Sequence, residues 1–251
     1  MAPKRDRKSM NILILGGTAE ARDLANRLVA LGHAVTSSLA GRTQAPILPA
    51  GAVRVGGFGG ASGLGAYLRS TGIARLVDAT HPYAGTISRN AVVAAQESGV
   101  PLVRLMRPAW EQPDGADWTI VESAAEAATM LPEGADVLLT TGHTGLDAFF
   151  ERSDCRFVVR LIEAPALPVP AQARLLQRRP PYGLAEEMDL LEREKITHLV
   201  SKNSGGAQTV AKLEAARRLG VKVIMIARPA YGPAIEVSSA EDAITALELN
   251  G

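Results

Sequence analysis

A series of short stretches holds most of the residue types that could bind an anion or move a proton, and each comes directly after an apolar run. Gly16-Gly17-Thr18-Ala19-Glu20-Ala21 follows Asn11–Leu15 and opens a helical pattern. Glycines and a hydroxyl at that place put backbone N–H groups and the positive end of a helix dipole where a phosphate would lie. The full dinucleotide fingerprint G-x-G-x-x-G is not met, because Thr18 and Ala21 stand where its second and third glycines belong. A plain tight turn would use the same residues. The next strand end discriminates further. A site for NAD places Asp or Glu about twenty residues past the glycines to bind the ribose 2′-hydroxyl, whereas NADP needs a cation for its 2′-phosphate. Ser37-Ser38-Leu39-Ala40-Gly41-Arg42-Thr43 contains no acid. Arg42 supplies a planar donor fork, and Ser38 and Thr43 supply hydroxyls, a set suited to a phosphomonoester.

Gly56-Gly57-Phe58-Gly59-Gly60 ends the third apolar run. Such a run packs poorly and costs backbone entropy, so it points to close approach of main chain and ligand, with Phe58 against an adenine or ribose face. After the fourth run, Asp78-Ala79-Thr80-His81-Pro82-Tyr83-Ala84 gathers a hydroxyl, an imidazole and a phenol. In the second half, Thr140-Thr141-Gly142-His143 follows one apolar run, and Ser201-Lys202-Asn203-Ser204-Gly205-Gly206 follows another and opens a helix. A cation, an amide, two hydroxyls and glycine N–H groups at a helix start make an anion-binding arrangement. Arg228 ends the next run.

Other chemistries find no support. No tyrosine has a lysine four residues later, no G-x-S-x-G elbow is present, and G-x-x-x-x-G-K-[ST] is absent. His33, His81, His143 and His198 are scattered, and Cys155 is the single cysteine, so no metal site is expected and a disulfide scaffold is excluded.

The elements that must position these residues follow from periodicity. Asn11–Leu15, His33–Leu39, Val53–Val55, Leu76–Ala79 and Leu102–Leu105 read as strands, with helices over Ala19–Leu31, Gly63–Ser70 and Ile87–Glu97 between them. Alternation of this kind requires parallel strands joined by crossover helices. Met106–Trp118 reads as a linker, after which strands at Asp136–Thr140, Arg156–Leu161, His198–Val200 and Lys222–Ala227 alternate with further helices. The expected fold is α/β, with residues 1–9 a disordered extension, 10–110 a cofactor domain and 111–251 a second α/β domain. In parallel sheets ligands bind beyond the carboxyl ends of the strands, where these stretches lie.

Composition bounds the partners. The 251 residues are 47% hydrophobic and 4% aromatic, with a formal net charge of +1. No apolar run approaches the roughly 18 residues of a membrane span, and neither field nor stacking surface favours nucleic acid. With no export signal and one lone cysteine, the cytoplasm is the expected compartment. The charge is nonetheless uneven: residues 10–110 carry nine Arg against four acids, while 111–251 are acidic overall. A basic half that handles something anionic and simple drift of surface composition both remain open.

Taken in order from Met10 to Pro229, the stretches 16–21, 38–43, 57–60, 78–84 and 202–206 resemble the precorrin-6A reductase family of cobalamin biosynthesis. The resemblance implies two Rossmann-like domains with a ligand cleft between them, and NADPH-dependent reduction of one double bond of the precorrin-6A macrocycle to give precorrin-6B. The cofactor is then expected at Gly16, Gly17, Thr18, Ala19, Glu20, Ser38, Gly41, Arg42, Thr43, Gly57, Phe58, Gly59, Thr80 and His81. A tetrapyrrole of many carboxylates calls for the cations Arg89, Lys202 and Arg228, with Asn203, Ser204, Gly205 and Gly206 as hydrogen-bond donors. His81 and Tyr83 are expected proton donors, with Lys202 also counted in the catalytic set, and other enzymes of the same pathway are candidate partners. The competing reading is a non-catalytic NADP-binding sensor. A sugar-nucleotide enzyme is weakened by the missing Tyr-x-x-x-Lys pair.

Overall fold

The computed structural model of the chain describes residues 9–41 and 47–249, so Arg42 and Thr43, and all but Ser9 of the N-terminal extension, lie outside the described residues. In chain order the elements are β1 (Asn11–Leu15), α1 (Ala19–Ala30), β2 (Ala34–Leu39), β3 (Ala52–Val55), α2 (Gly60–Ser70), β4 (Arg75–Asp78), α3 (Gly85–Ser98) and β5 (Leu102–Leu105). Next come β6 (Trp118–Val121), α4 (Ala124–Thr129), β7 (Asp136–Leu139), α5 (Leu146–Phe150), β8 (Arg156–Leu161) and β9 (Ala173–Gln177). They are followed by α6 (Leu184–Arg193), β10 (His198–Lys202), α7 (Ala211–Leu219), β11 (Lys222–Ile226), β12 (Ile235–Val237) and α8 (Ala240–Leu249).

The chain forms two compact units, one of the residues through Arg107 together with Ala230 onward, the other of Pro108–Pro229. Each holds a six-stranded, all-parallel sheet. In the first unit the order is β12-β5-β4-β1-β2-β3. The chain moves outward from β1 to β3, then returns to the other side of β1 to lay down β4 and β5. Sequence order therefore reverses between β1 and β4, the point where such sheets open a crevice at their carboxyl edge. Both faces of the sheet are covered, which is why β1 is an unbroken apolar run rather than an alternating one. Ile12 and Ile14 pack with Leu24 and Leu28 of α1 and Leu247 of α8, while Leu13 and Leu15 pack with Leu64 and Leu68 of α2 and Ala91 of α3.

The division differs from the expected boundary, which placed everything after residue 110 in the second domain. β12 pairs in parallel with β5, and Ala243 and Leu247 of α8 are fully buried against the α1 face of the first sheet. Without them the β5 edge and that apolar face would be uncovered. A strand of three residues is too short to announce this in the sequence.

In the second unit the order is β6-β11-β10-β7-β8-β9. Read from β6, this repeats the first sheet as read from β12, with a reversal between β7 and β10. β6 begins at Trp118, inside what reads as a linker, and β9 lies within a proline-rich and basic stretch. Among the described residues no helix is long and apolar enough to cross a membrane. Leu247→Ala is expected to destabilise the first unit by about 2–5 kcal/mol, the usual cost of a buried leucine cavity, measured by urea unfolding with a probe in that unit.

Candidate functional site

Strand register places one polar row across the carboxyl edge of the first sheet. Arg54 pairs with Ser38, Ser38 with Leu15, Leu15 with Asp78, Asp78 with Arg104, and Arg104 with Glu236. Residues in register in a parallel sheet share a face, so the row is continuous over all six strands, with Leu15 its one apolar member. Its two ends do different things on either side of the β1/β4 reversal.

On the β2–β3 side, Nη1 of Arg54 donates to Ser38 Oγ at 2.7 Å and to the Gly56 carbonyl at 3.0 Å, and Nη2 donates to the Gly57 carbonyl at 3.0 Å. The guanidinium lies 3.7 Å from the centroid of Phe58, which meets Tyr67 edge-on at 5.2 Å. Ser38, Gly57 and Phe58 are expected here from the sequence; the cation that joins them is not. Arg54 has no carboxylate partner among the described residues, and a guanidinium held flat by stacking beside a serine hydroxyl suits a phosphomonoester. Gly41 adopts a left-handed conformation (φ +73), where a Cβ would press on Val55 at 2.9 Å.

At the reversal itself, the Gly16 N–H donates to the Ser38 carbonyl at 2.9 Å, which ties the end of β1 to β2. Gly17 has φ +114, with open space where a side chain would stand. Only glycine adopts that conformation readily, so the backbone is left uncovered before α1. Thr18 caps α1 by accepting from the Ala21 N–H at 3.0 Å, and donates to the Ala79 carbonyl at 2.8 Å. That bond links the ends of β1 and β4. Ala19 opens α1, and Glu20 pairs with Arg107 at 3.0 Å.

On the β4–β5 side, Asp78 accepts from Thr80 Oγ1 at 2.7 Å and Thr80 N–H at 3.2 Å, and its other oxygen faces Arg104 Nε at 3.4 Å. His81 is exposed and Tyr83 half-buried, their rings 5.9 Å apart. Arg89 is exposed and lies over Gly85, where a Cβ would sit 3.0 Å from its guanidinium.

In the second unit the expected anion-binding loop follows β10. Its groups are engaged chiefly with the chain itself. The Asn203 amide takes both sides of the Trp110 peptide, accepting from N–H at 2.7 Å and donating to the carbonyl at 2.9 Å. Trp110 Nε1 donates to the Gly206 carbonyl at 3.1 Å. Arg228 donates to the carbonyls of Asn203 at 2.7 Å and Pro108 at 3.2 Å. Gly205 has φ +68, and a Cβ there would collide with the Pro108 carbonyl at 2.1 Å. The Ser204 N–H donates to the Lys202 carbonyl at 2.8 Å, and Lys202 itself is half-buried at the end of β10. Asn203, Gly205, Gly206 and Arg228 thus hold residues 108–110.

Comparison with known proteins then decides the family. A family model described as precorrin-6x reductase CbiJ/CobK matches residues 11–248. A precorrin-6A reductase of Rhodococcus erythropolis is 48% identical over 227 residues, covering 90% of this chain and 92% of its own. A cobalt-precorrin-6A reductase of Priestia megaterium is 32% identical, covering 94% and 97%. A solved structure titled CobK precorrin-6A reductase superposes with a TM-score of 0.89 at 38% identity, covering 96% of this chain and 97% of that one. The chain belongs to the precorrin-6x reductase family. It is an oxidoreductase of cobalamin biosynthesis, built on the two parallel-sheet domains described above.

The reductase also carries a buried cation that the sequence did not single out. Lys212 of α7 is 5% exposed, donates to Thr140 Oγ1 at 3.1 Å and lies 5.2 Å from the Trp110 ring. Thr140 Oγ1 donates in turn to the Val200 carbonyl at 3.0 Å, across the β7/β10 reversal. Burial pushes the Lys212 ammonium down to about 7; the nearby Arg160 guanidinium works in the same direction and Glu187 opposes it. A lysine depressed in the folded state binds fewer protons there than when unfolded, so stability rises with pH from about 7 toward the ordinary lysine value. Urea unfolding of the second unit is expected to show a higher midpoint at pH 9 than at pH 7, and Lys212→Met is expected to remove that difference.

Proposed function

We propose that the reductase takes NADPH as its reductant and metal-free precorrin-6A as its substrate, adding one hydride and one proton to a double bond of the macrocycle to give precorrin-6B. The observation that carries the cofactor assignment is the Ser38–Arg54 pair. An acid able to hold a 2′-hydroxyl is missing from the described end of β2, and a stacked guanidinium stands beside Ser38 instead. The uncovered backbone at Gly17 and the capped start of α1 fit a pyrophosphate. Arg42 and Thr43 join this set on their sequence positions alone.

Bound NADPH would supply the hydride, and the neighbouring atom of the reduced bond must receive a proton. His81 and Tyr83 bring an imidazole and a phenol to the loop after β4 for that proton. Arg89 and Lys202 supply cations for the substrate's carboxylates, with Ser204 donating beside Lys202. Asn203 and Arg228 contribute by holding that loop to residues 108–110. The metal-free macrocycle is favoured because the relative named for precorrin-6A is 48% identical, against 32% for the one named for its cobalt form.

Direct titration is expected to show tighter binding of NADPH than of NADH. Arg54→Ala should weaken NADPH by roughly 10- to 150-fold, the worth of a hydrogen bond to a charged group, and leave NADH little changed; Arg42→Ala should act in the same direction. Equal affinity for both nucleotides in the parent protein would overturn the cofactor assignment. With authentic precorrin-6A, loss of the nicotinamide absorbance is expected, whereas binding without oxidation would count against the proposed cofactor and substrate.

A further inference from the structure

Thr80–Ala84 connects β4 to α3; Ala84 stands at the helix N-cap with no side-chain cap bond, and Thr80 Oγ1 lies 3.4 Å from Ser88 Oγ of α3. Residues outside α3 hold it as well. At its entrance, Asp78 accepts from both the hydroxyl and the N–H of Thr80. At its middle, the Tyr231 hydroxyl donates to the Pro82 carbonyl, from a residue 149 positions later in the chain. Both anchors lead to one side chain. Arg104, 1% exposed, faces Asp78 through Nε and lies 5.2 Å from the Tyr231 ring. Its Nη1 donates to the Gly232 carbonyl at 3.1 Å and to Glu236 at 2.9 Å, which anchors the segment that bears Tyr231.

We propose that Arg104 and Tyr231 are positioning residues of the reaction, acting through Asp78 and the Pro82 carbonyl to set the Thr80–Ala84 loop, and with it Thr80, His81 and Tyr83, in one geometry. The terminal segment that returns to the first unit thereby does more than complete a sheet. Tyr231 uses its ring to cover the guanidinium and its hydroxyl to hold the loop, so the two functions separate in Tyr231→Phe. Arg104→Lys keeps the charge between Asp78 and Glu236 and loses the fork that reaches Gly232. The proposal rests on reading the loop as part of the cofactor and proton-transfer site.

The test compares both variants with the parent full-length protein by amide hydrogen exchange and by steady-state kinetics with NADPH and precorrin-6A. Tyr231→Phe is expected to speed exchange of the loop amides, those of Tyr83 and Ala84 foremost, by roughly two- to tenfold, the worth of one hydrogen bond. Protection of β1, β4 and β5 should stay at the parent level. kcat should fall by a similar factor with a smaller change in the KM for precorrin-6A, and Arg104→Lys should show the same pattern in the loop. Parent-level exchange in the loop of Tyr231→Phe overturns the proposal, as does loss of protection spread evenly over the sheet, which marks a merely structural role. The exchange measurement decides the positioning role even where the parent protein proves not to use NADPH, a result that would count against the proposed function alone.

Discussion

A buried charge constrains the first unit more than any other feature. Arg104 lies in the middle of an apolar strand and is almost wholly withdrawn from water. Removing an ion from water costs several kcal/mol after relaxation, and the cost is offset only where partners surround it. Here the partners come from both sides in register, Asp78 from β4 and Glu236 from β12, with the Gly232 carbonyl and the Tyr231 ring beside them, while Nη2 has no hydrogen-bond partner among the described residues. Such a charge cannot be satisfied by β4 alone. The terminal segment must return to the first sheet, and in doing so it covers the β5 edge, buries Leu247 and brings Tyr231 to Pro82.

The two sheets share a strand order and spend their polar groups differently. In the first, the row at the carboxyl edge splits at Leu15 into a stacked cation beside Ser38 and an acid–base–acid set around Arg104. The first half is the one proposed to meet an anion, the second the one proposed to position a loop. In the second sheet, the corresponding edge turns inward: Lys212 reaches Thr140, Arg160 pairs with buried Glu187, and Asn203 grips the Trp110 peptide. The Asn203 amide satisfies both sides of a peptide in this way and so rigidifies its loop, because leaving either backbone group unpaired in the interior is costly. Lys202 ends β10 just before this loop, whose Asn203 and Gly206 are already engaged with Trp110.

Much of this was legible in the residues. Glycine pairs after apolar runs marked the strand ends, and the absence of an acid after β2 pointed to a phosphate-bearing nucleotide. Alternating strand and helix patterns gave two parallel α/β domains, and the order of the five motifs pointed to the family that comparison then showed. Arg54 and Arg104 carried a weaker signal. Each is a lone arginine inside a four-residue apolar strand, Ala-Val-Arg-Val and Leu-Val-Arg-Leu, and a cation in such a place implies a buried or edge partner without naming it.

The sequence by itself determined the local chemistry: where backbone could approach a ligand, which cations and hydroxyls followed which strand, and that the strands were parallel. These depend on residue type and short spacing, which the chain order states directly. Only the tertiary structure decided which distant residues share a row. Ser38 meets Arg54 and Asp78 meets Arg104 because of strand register, and Pro82 meets Tyr231 because a buried guanidinium draws the end of the chain back to β5. None of these pairings has a sequence period, since parallel neighbours are separated by crossovers of variable length and a charge can be neutralised by any segment able to reach it.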